Sequence, residues 1–304
     1  RFHFAYTITC VMRVLVAYNP VSGRGVAKKL GADISDVLLH EGCDVELVPT
    51  QADDPQNWLE PRLKQIDRVV AVGGDGTLRS IASCLVGTGI PIYHAPSGTE
   101  NLFAKSMRMS NDPRKMANAL LTGDITRIDT ATANGEFLLL MASVGFDAQV
   151  VADLAEHRGQ SITHMSYVMP LIRRFVHFSA PRMTITVDGE QITENQKGWV
   201  VVANSPAYAR GLNPARNASI TDGLLDIVFL PIHCRSSLIN WMLRVKRASH
   251  LHQNGAIEMR GKKIEIKTIS PAHWQLDGDA PTGKKDTSTL ELVSNPSSLT
   301  IVTP

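Results

Sequence analysis

The stretch RVVAVGGDGTLRSIASCLVG, residues 68–87, decides how this chain is read. Arg68 to Val72 form a short apolar run of strand length, and residues 77–87 carry a helical pattern. Between them lie Gly73, Gly74, Asp75, Gly76 and Thr77. A glycine loop between a strand and a helix marks the sheet edge where α/β proteins bind ligands. Glycine also lets backbone N–H groups converge on an anion. A carboxylate inside such a cradle repels phosphate unless bound Mg2+ or a proton in transit offsets its charge. Asp75 therefore reads as a metal partner or a base, ahead of a plain helix cap.

The same grammar extends on both sides. RVLVAY (13–18) leads into Asn19-Pro20-Val21-Ser22-Gly23-Arg24-Gly25, then Val26, Leu30, Val37 and Leu38 at helical spacing. VELVPT (45–50) follows, and IPIYH (90–94) runs into Pro96-Ser97-Gly98-Thr99-Glu100-Asn101 and a further helix. Strands alternating with helices predict an α/β layer with parallel strands. Lys28 stands where the third glycine of a dinucleotide fingerprint belongs, which weakens that reading of the first loop and leaves a phosphate loop or an ordinary turn capped by Ser22. In the third loop, Thr99 and Asn101 suit phosphate oxygens, although the loop taken alone reads first as a plain helix start capped by Thr99. No Walker loop exists: neither Gly261-Lys262 nor Gly283-Lys284 is followed by Ser or Thr.

After about residue 128 the pattern changes. Asn134-Gly135 separates IDTATA from FLLLMA, and Asp188-Gly189 closes RMTITV, both hairpin signals. Further strands are expected at 198–204, 224–230, 257–269, 289–293 and 299–303, with apolar helical patterns at 161–178 and 236–251. The expected organisation is an extension over 1–11 ahead of Met12, a nucleotide-binding α/β domain over 12–128, and an antiparallel β-rich, sandwich-like domain over 129–304. The last strand is free to return to the first domain.

Composition narrows the function classes. Lys+Arg 31 against Asp+Glu 29 gives a net charge of +2 over 304 residues, which argues against a nucleic-acid partner. Cys10, Cys43, Cys84 and Cys234 form no C-x-x-C pair, so a disulfide framework or thiolate zinc site is not expected and a reducing cytoplasm fits. The most apolar stretch, Phe137 to Phe146, is too short to cross a bilayer. In SITHMSYVMPLIRRFVHF (161–178), Ile162, Met165, Met169, Ile172, Phe175 and Val176 gather largely on one side, with Arg173, Arg174 and His177 nearby. That suits a lipid-cleft wall or peripheral contact with a membrane surface, or a core helix broken at Pro170. His250-x-His252 lacks a third ligand nearby and reads as surface; a homodimer is left open.

NPVSGRG (19–25), GGDGT (73–77), PSGTENLFA (96–104), VGFDA (144–148), DGLLDIVFL (222–230) and LDGD (276–279) occur in the order found in the diacylglycerol kinase catalytic-domain family, which this chain resembles from Met12 onward. The resemblance implies a two-domain lipid kinase of NAD kinase/diacylglycerol kinase type, with ATP between the domains. It implies nucleotide contacts from Gly73, Gly74, Asp75, Gly76, Thr77, Leu78 and Arg79, and from Thr50 and Thr99. Asn19, Ser22, Gly23, Arg24, Gly25, Gly98 and Asn101 of the flanking loops join them. It also implies a Mg2+ site made by the backbone of Ser219 and Leu224 with the Asp222 carboxylate. Asp279 corresponds to the proton acceptor, with Asp277 and Asp75 as rivals; Asp277-Gly278 also reads as a hairpin turn. The acceptor expected is a lipid such as diacylglycerol, a sphingoid base or phosphatidylglycerol. Leu102 stands where many members carry an acid, a departure that counts against diacylglycerol and leaves a sphingoid base, phosphatidylglycerol or another hydroxyl lipid open. An NAD kinase shares GGDGT but would carry Asn-Glu where this chain has Glu100-Asn101. A non-catalytic lipid-binding module would not require Asp75, Asp277 and Asp279.

Overall fold

A computed structural model describes residues 11–156, 179–208, 212–283 and 286–304. The apolar pattern at 161–178 and residues 1–10 of the expected extension lie outside the described residues. The chain divides into two units, Arg1–Thr126 with Leu299–Pro304, and Arg127–Ser298.

In the first unit, β1 (Arg13–Tyr18), β2 (Asp44–Pro49), β3 (Arg68–Gly73) and β4 (Ile92–Pro96) run parallel in the order β2-β1-β3-β4. Ile301 joins in parallel beside Ile92. Val14 to Ala17 and Val69 to Val72 are fully buried. Strands covered on both faces need continuous apolar runs, which is why these segments do not alternate. The helices are α1 (Val26–His40), α2 (Pro55–Trp58), α3 (Asp75–Ser83), α4 (Leu102–Ser106) and α5 (Pro113–Thr122). α1 buries Ala27, Ile34 and Leu38, and α3 buries Leu78, Ile81 and Ala82, one face in each case. The Asp112 carboxylate starts α5 by accepting the Lys115 N–H at 2.9 Å, with Pro113 in the first turn. Because β1, β3 and β4 are parallel, the three glycine loops that follow them leave one edge of the sheet together.

The second unit is antiparallel. β5 (Asp124–Ala133) pairs with β6 (Glu136–Leu138) across Asn134-Gly135, whose φ angles of +48° and +82° suit a type I′ turn. β7 (Met141–Val144) and α6 (Phe146–Glu156) follow, then β8 (Arg182–Val187), β9 (Glu190–Ala203), β10 (Leu225–Pro231), α7 (Arg235–Lys246), β11 (Ile257–Gly261), β12 (Lys263–Leu276) and β13 (Asp286–Thr303). β9 and β12 each pair with β8 along their first part and with β7 along their last. Each long strand thus changes partner midway, β12 at a register shift between Lys267 and Ala272, so that β7, β8, β9 and β12 close on one another. Their inward residues, among them Ile185, Val187, Val200, Val202, Ile266 and Trp274, form one core with Phe229 of β10.

Three expectations change. The stretch 257–269 is two strands, because the Asp188 carboxylate takes the N–H groups of Lys262 and Lys263, and a Cβ at Gly261 would lie 2.4 Å from Val187 Cγ1. Conversely, 289–293 and 299–303 belong to the single strand β13. His250 is fully buried, with Nε2 2.6 Å from the Pro214 carbonyl oxygen, so it is a packed core histidine. Among the described residues no helix is long and apolar enough to cross a membrane.

Candidate active site

α3 starts at Asp75 with Gly74 as its cap residue, and its first helical bond is Leu78 N to Gly74 O at 3.0 Å. The N–H groups ahead of Leu78 in that turn have no partner within the helix, and the helix dipole adds positive charge there. A turn of this kind is suited to an anion, which makes residues 74–77 the candidate phosphate cradle.

The other two loops pack directly against this one. Ser97 N donates to Gly73 O at 2.9 Å, Asn19 N to Val72 O at 2.9 Å, and Asn19 Nδ2 to Thr77 Oγ1 at 3.0 Å. Ser22 Oγ lies 3.2 Å from Ser97 Oγ. Thr50 N donates to Tyr18 O at 2.8 Å, which holds Thr50 at the same edge. The approach is as close as backbone allows. A Cβ on Gly23 would sit 2.6 Å from the Ser97 carbonyl oxygen, and one on Gly98 2.6 Å from Gly74 Cα. Thr99 is exposed, Arg79 is half-buried one turn into α3, and the Arg24 side chain lies outside the described residues.

Gly98 offers a clean steric test, because its φ lies outside the left-handed region and alanine would meet no backbone strain. Only the contact with Gly74, and 2.9 Å to Asn101 Oδ1, opposes a methyl group. Gly98→Ala is expected to raise KM for the nucleotide about tenfold, since sub-ångström displacement of positioning groups carries costs of this order. The thermal unfolding midpoint should fall as well, because the methyl meets backbone and overpacking of this kind costs about 1–3 kcal/mol. An unchanged KM would separate the third loop from nucleotide binding.

Asp75 does something its place in the sequence did not reveal. Its Oδ2 accepts the Leu102 N–H at 2.8 Å and its Oδ1 the Phe103 N–H at 3.0 Å. It therefore caps α4, a helix remote in sequence, and ties the third loop to the second. Asn101 cannot do this, because its side chain exchanges bonds with Gly98 N and O at 2.9 and 2.8 Å. Beneath the loop lies His94, which sequence reasoning missed although it is the one ring nitrogen donor in IPIYH. It is fully buried, with Nε2 3.1 Å from Gly73 O. Burial pulls its pKa down, opposed by the Asp75 charge and the Gly73 bond.

In the second unit, Leu276-Asp277-Gly278-Asp279 is a two-residue hairpin turn: φ is +51° at Asp277 and +84° at Gly278, and Leu276 and Asp279 exchange backbone bonds at 2.9 and 2.8 Å. The Asp277 carboxylate is buried and accepts three N–H groups, Leu139 at 3.0 Å, Leu140 at 2.7 Å and Met141 at 2.9 Å. Asp279 is half-buried just past the turn. The hairpin-turn reading therefore holds, with the Asp277 carboxylate fixing the backbone and Asp279 standing just past the turn.

The three residues named for Mg2+ share one loop. Asp222 Oδ1 accepts the Leu224 N–H at 3.1 Å, and its Oδ2 lies 3.8 Å from Arg260 Nη1. Ser219 Oγ is 3.3 Å from Thr221 Oγ1. Among the described residues no three His, Cys, Asp or Glu side chains cluster as a metal site, so a cation here would rest on one carboxylate and backbone oxygens. Oxygen-only donors fit a hard cation, with Arg260 already meeting part of the Asp222 charge. Asp129, also missed, steadies this loop: its buried carboxylate accepts Gly223 N at 2.6 Å and Ser297 N at 2.7 Å. An acid inside the apolar run IDTATA was the signal available.

Comparison with known proteins identifies both parts of the chain. Residues 13–133 match the diacylglycerol kinase catalytic domain, and residues 141–303 match the YegS C-terminal NAD kinase beta sandwich-like domain. A protein named diacylglycerol kinase from Mycobacterium tuberculosis is 26% identical over 263 residues, 84% of this chain and 85% of that one. A protein of Pseudomonas fluorescens named "Probable lipid kinase YegS-like" is 27% identical over 267 residues, 86% of this chain and 87% of that one. The crystal structure of a diacylglycerol kinase from Bacillus anthracis superposes with a TM-score of 0.70 at 17% identity, covering 96% of this chain and 97% of that one, a likeness of fold. Two matched domains spanning nearly all of the chain, in register with three converging glycine loops and an acid-bearing hairpin, place it in the diacylglycerol kinase catalytic-domain family, of the YegS type.

Proposed function

We propose that this chain is an alcohol-group phosphotransferase that moves the γ-phosphate of ATP onto a lipid hydroxyl, with diacylglycerol, a sphingoid base or phosphatidylglycerol as acceptor. The observation that carries the reading is the packing of three glycine loops around the unsatisfied first turn of α3. Phosphoryl transfer asks mainly for positioning and charge stabilisation, and preorganised backbone N–H groups supply both.

Residues 73–79, with Asn19, Ser22, Gly23, Gly25, Thr50, Gly98, Thr99 and Asn101, are assigned to hold the nucleotide. Mg2+, when bound with ATP, neutralises charge on the phosphate oxygens. Ser219, Asp222 and Leu224 are assigned to a second, structural cation. Asp279 is assigned to accept the proton of the lipid hydroxyl. Asp277 is less suited, because three N–H groups already occupy its carboxylate and stabilise its charged form. Asp75 serves best as the clamp between the second and third loops, facing the metal-bound phosphates from there. An acceptor embedded in a bilayer implies an enzyme that works peripherally at a membrane surface on the cytoplasmic side.

The test is transfer of label from γ-labelled Mg-ATP, read as organic-extractable phosphate with micelles of each candidate lipid presented separately, and as labelled dinucleotide separated from ATP by chromatography in an arm with NAD. Label in one hydroxyl lipid at least tenfold above the others would fix the substrate class. Label in NAD alone, or in none of the acceptors, would overturn the reading.

A further inference from the structure

The second unit contains a hydrogen-bonded chain that the phosphate and metal assignments do not use. Asp147, in the first turn of α6, accepts from Tyr208 Oη at 2.5 Å and from Ser143 Oγ at 2.6 Å, both on Oδ2. Ser143, on β7, accepts in turn from Gln275 Nε2 at 2.9 Å, and Gln275 Oε1 accepts the N–H of Gly278 at 2.7 Å. Ser143 and Gln275 are buried. The chain therefore starts at a carboxylate and ends on the backbone of the hairpin turn that presents Asp279.

Its polarity is fixed by chemistry. An ionised Asp147 only accepts, so both hydroxyls point their protons at it. That leaves Ser143 Oγ free to accept from the Gln275 amide nitrogen, which turns Gln275 Oε1 toward Gly278 N–H. Protonating Asp147 removes the reason for this order: the acid can donate to Ser143 Oγ, whose own proton is then free to turn to Gln275 and take its amide oxygen as acceptor. Either orientation of the Gln275 amide is open to it on its own, and only the one set by Asp147 gives Gly278 an acceptor.

We propose that Asp147 and Tyr208 are positioning residues for the turn that carries Asp279, acting through Ser143 and Gln275. The proposal rests on the reading of Asp279 as proton acceptor for its catalytic consequence, but not for the coupling itself. Among the described residues, the groups acting on the Asp147 carboxylate are the Ser143 and Tyr208 hydroxyls, the Ala148 backbone N–H and the Trp199 indole. Of these only Tyr208 titrates. Burial pushes the Asp147 carboxyl up and the two hydroxyls hold it down, while burial and the Asp147 charge push Tyr208 well above its usual range. Asp147 is thus placed to change protonation closer to neutrality than an exposed carboxylate. The ordered state exists above its pKa and is lost as pH falls through it.

The experiment follows the Gly278 amide resonance of the 15N-labelled full chain from neutral to acidic pH, beside kcat and nucleotide KM over the same range. The Gly278 shift is expected to track Asp147 titration in the parent and to flatten in Ser143→Ala, which cuts the chain while keeping both ends. Tyr208→Phe removes one donor from the carboxylate, so the acid limb of kcat should move up by about one pH unit, a single charge-assisted bond being of that size. Nucleotide KM should stay within twofold. A Gly278 resonance indifferent to Asp147, or superimposable acid limbs in parent and Tyr208→Phe, overturns the proposal. A Gly278 response in a protein that phosphorylates no lipid would keep the coupling and sink the kinase reading instead.

Discussion

Asp279→Asn is expected to fold like the parent and to lose turnover, whereas Asp277→Ala is expected to lose stability. For Asp277 the loss follows from what its carboxylate touches, and for Asp279 from the basicity an amide lacks. Asp277 is buried and serves the N–H groups of Leu139, Leu140 and Met141. Removing an acceptor from a buried donor costs roughly 1–3 kcal/mol. Three such donors left together approach the whole margin of about 5–15 kcal/mol that holds a domain folded. Asp279 lies past the turn, half-buried, with its backbone fixed by Leu276. An amide there preserves shape and removes basicity, for which losses of about 10²–10⁴ in kcat are usual when a general base is removed. Denaturant unfolding and kcat measured on both variants separate the roles. Normal turnover in Asp279→Asn, or a stable but inactive Asp277→Ala, would reverse the assignment.

The parallel unit was legible because its signal is local. Continuous apolar runs at 13–18 and 68–72 can only be strands covered on both faces, and each is followed by glycines whose absence of side chain is itself the message. Asn134-Gly135 and Asp188-Gly189 were legible for the same reason: left-handed φ at both positions is a property of the dipeptide. What stayed hidden depends on partners far away in the chain. Residues 294–298, SNPSS, have the composition of a loop, yet β13 runs through them, held where Asp129 takes Ser297 N–H and Lys262 O takes Ser294 N–H. The change of partner by β9 and β12 has no local signature at all. In the candidate site, the glycines and Asp75 could be named from the sequence, but the use of the Asp75 carboxylate could not. Its donors, Leu102 and Phe103, look like ordinary helix residues.

That hidden use of Asp75 makes its amide variant the most informative change in the first unit. Asn at this position keeps one oxygen but turns a donor toward one of two N–H groups that both need acceptors. α4 is five residues long and receives no side-chain cap from Asn101, so it has nothing else to start it. Asp75→Asn is expected to cost about 1–3 kcal/mol in unfolding free energy. As the α4 terminus loosens, the 96–101 loop loses its hold on the second loop, and the negative charge assigned above to the nucleotide site disappears with it. A combined loss of about 10²–10³ in kcat/KM for ATP is expected, the size seen when one preorganised charge-stabilising group is removed. His94 supplies an independent readout. The Asp75 charge raises the His94 pKa against a larger lowering by burial, so removing that charge should push the imidazole still lower in a ring-proton titration. A variant that loses activity while its unfolding midpoint and the His94 titration stay put would show Asp75 acting on the phosphates alone, with no clamping role.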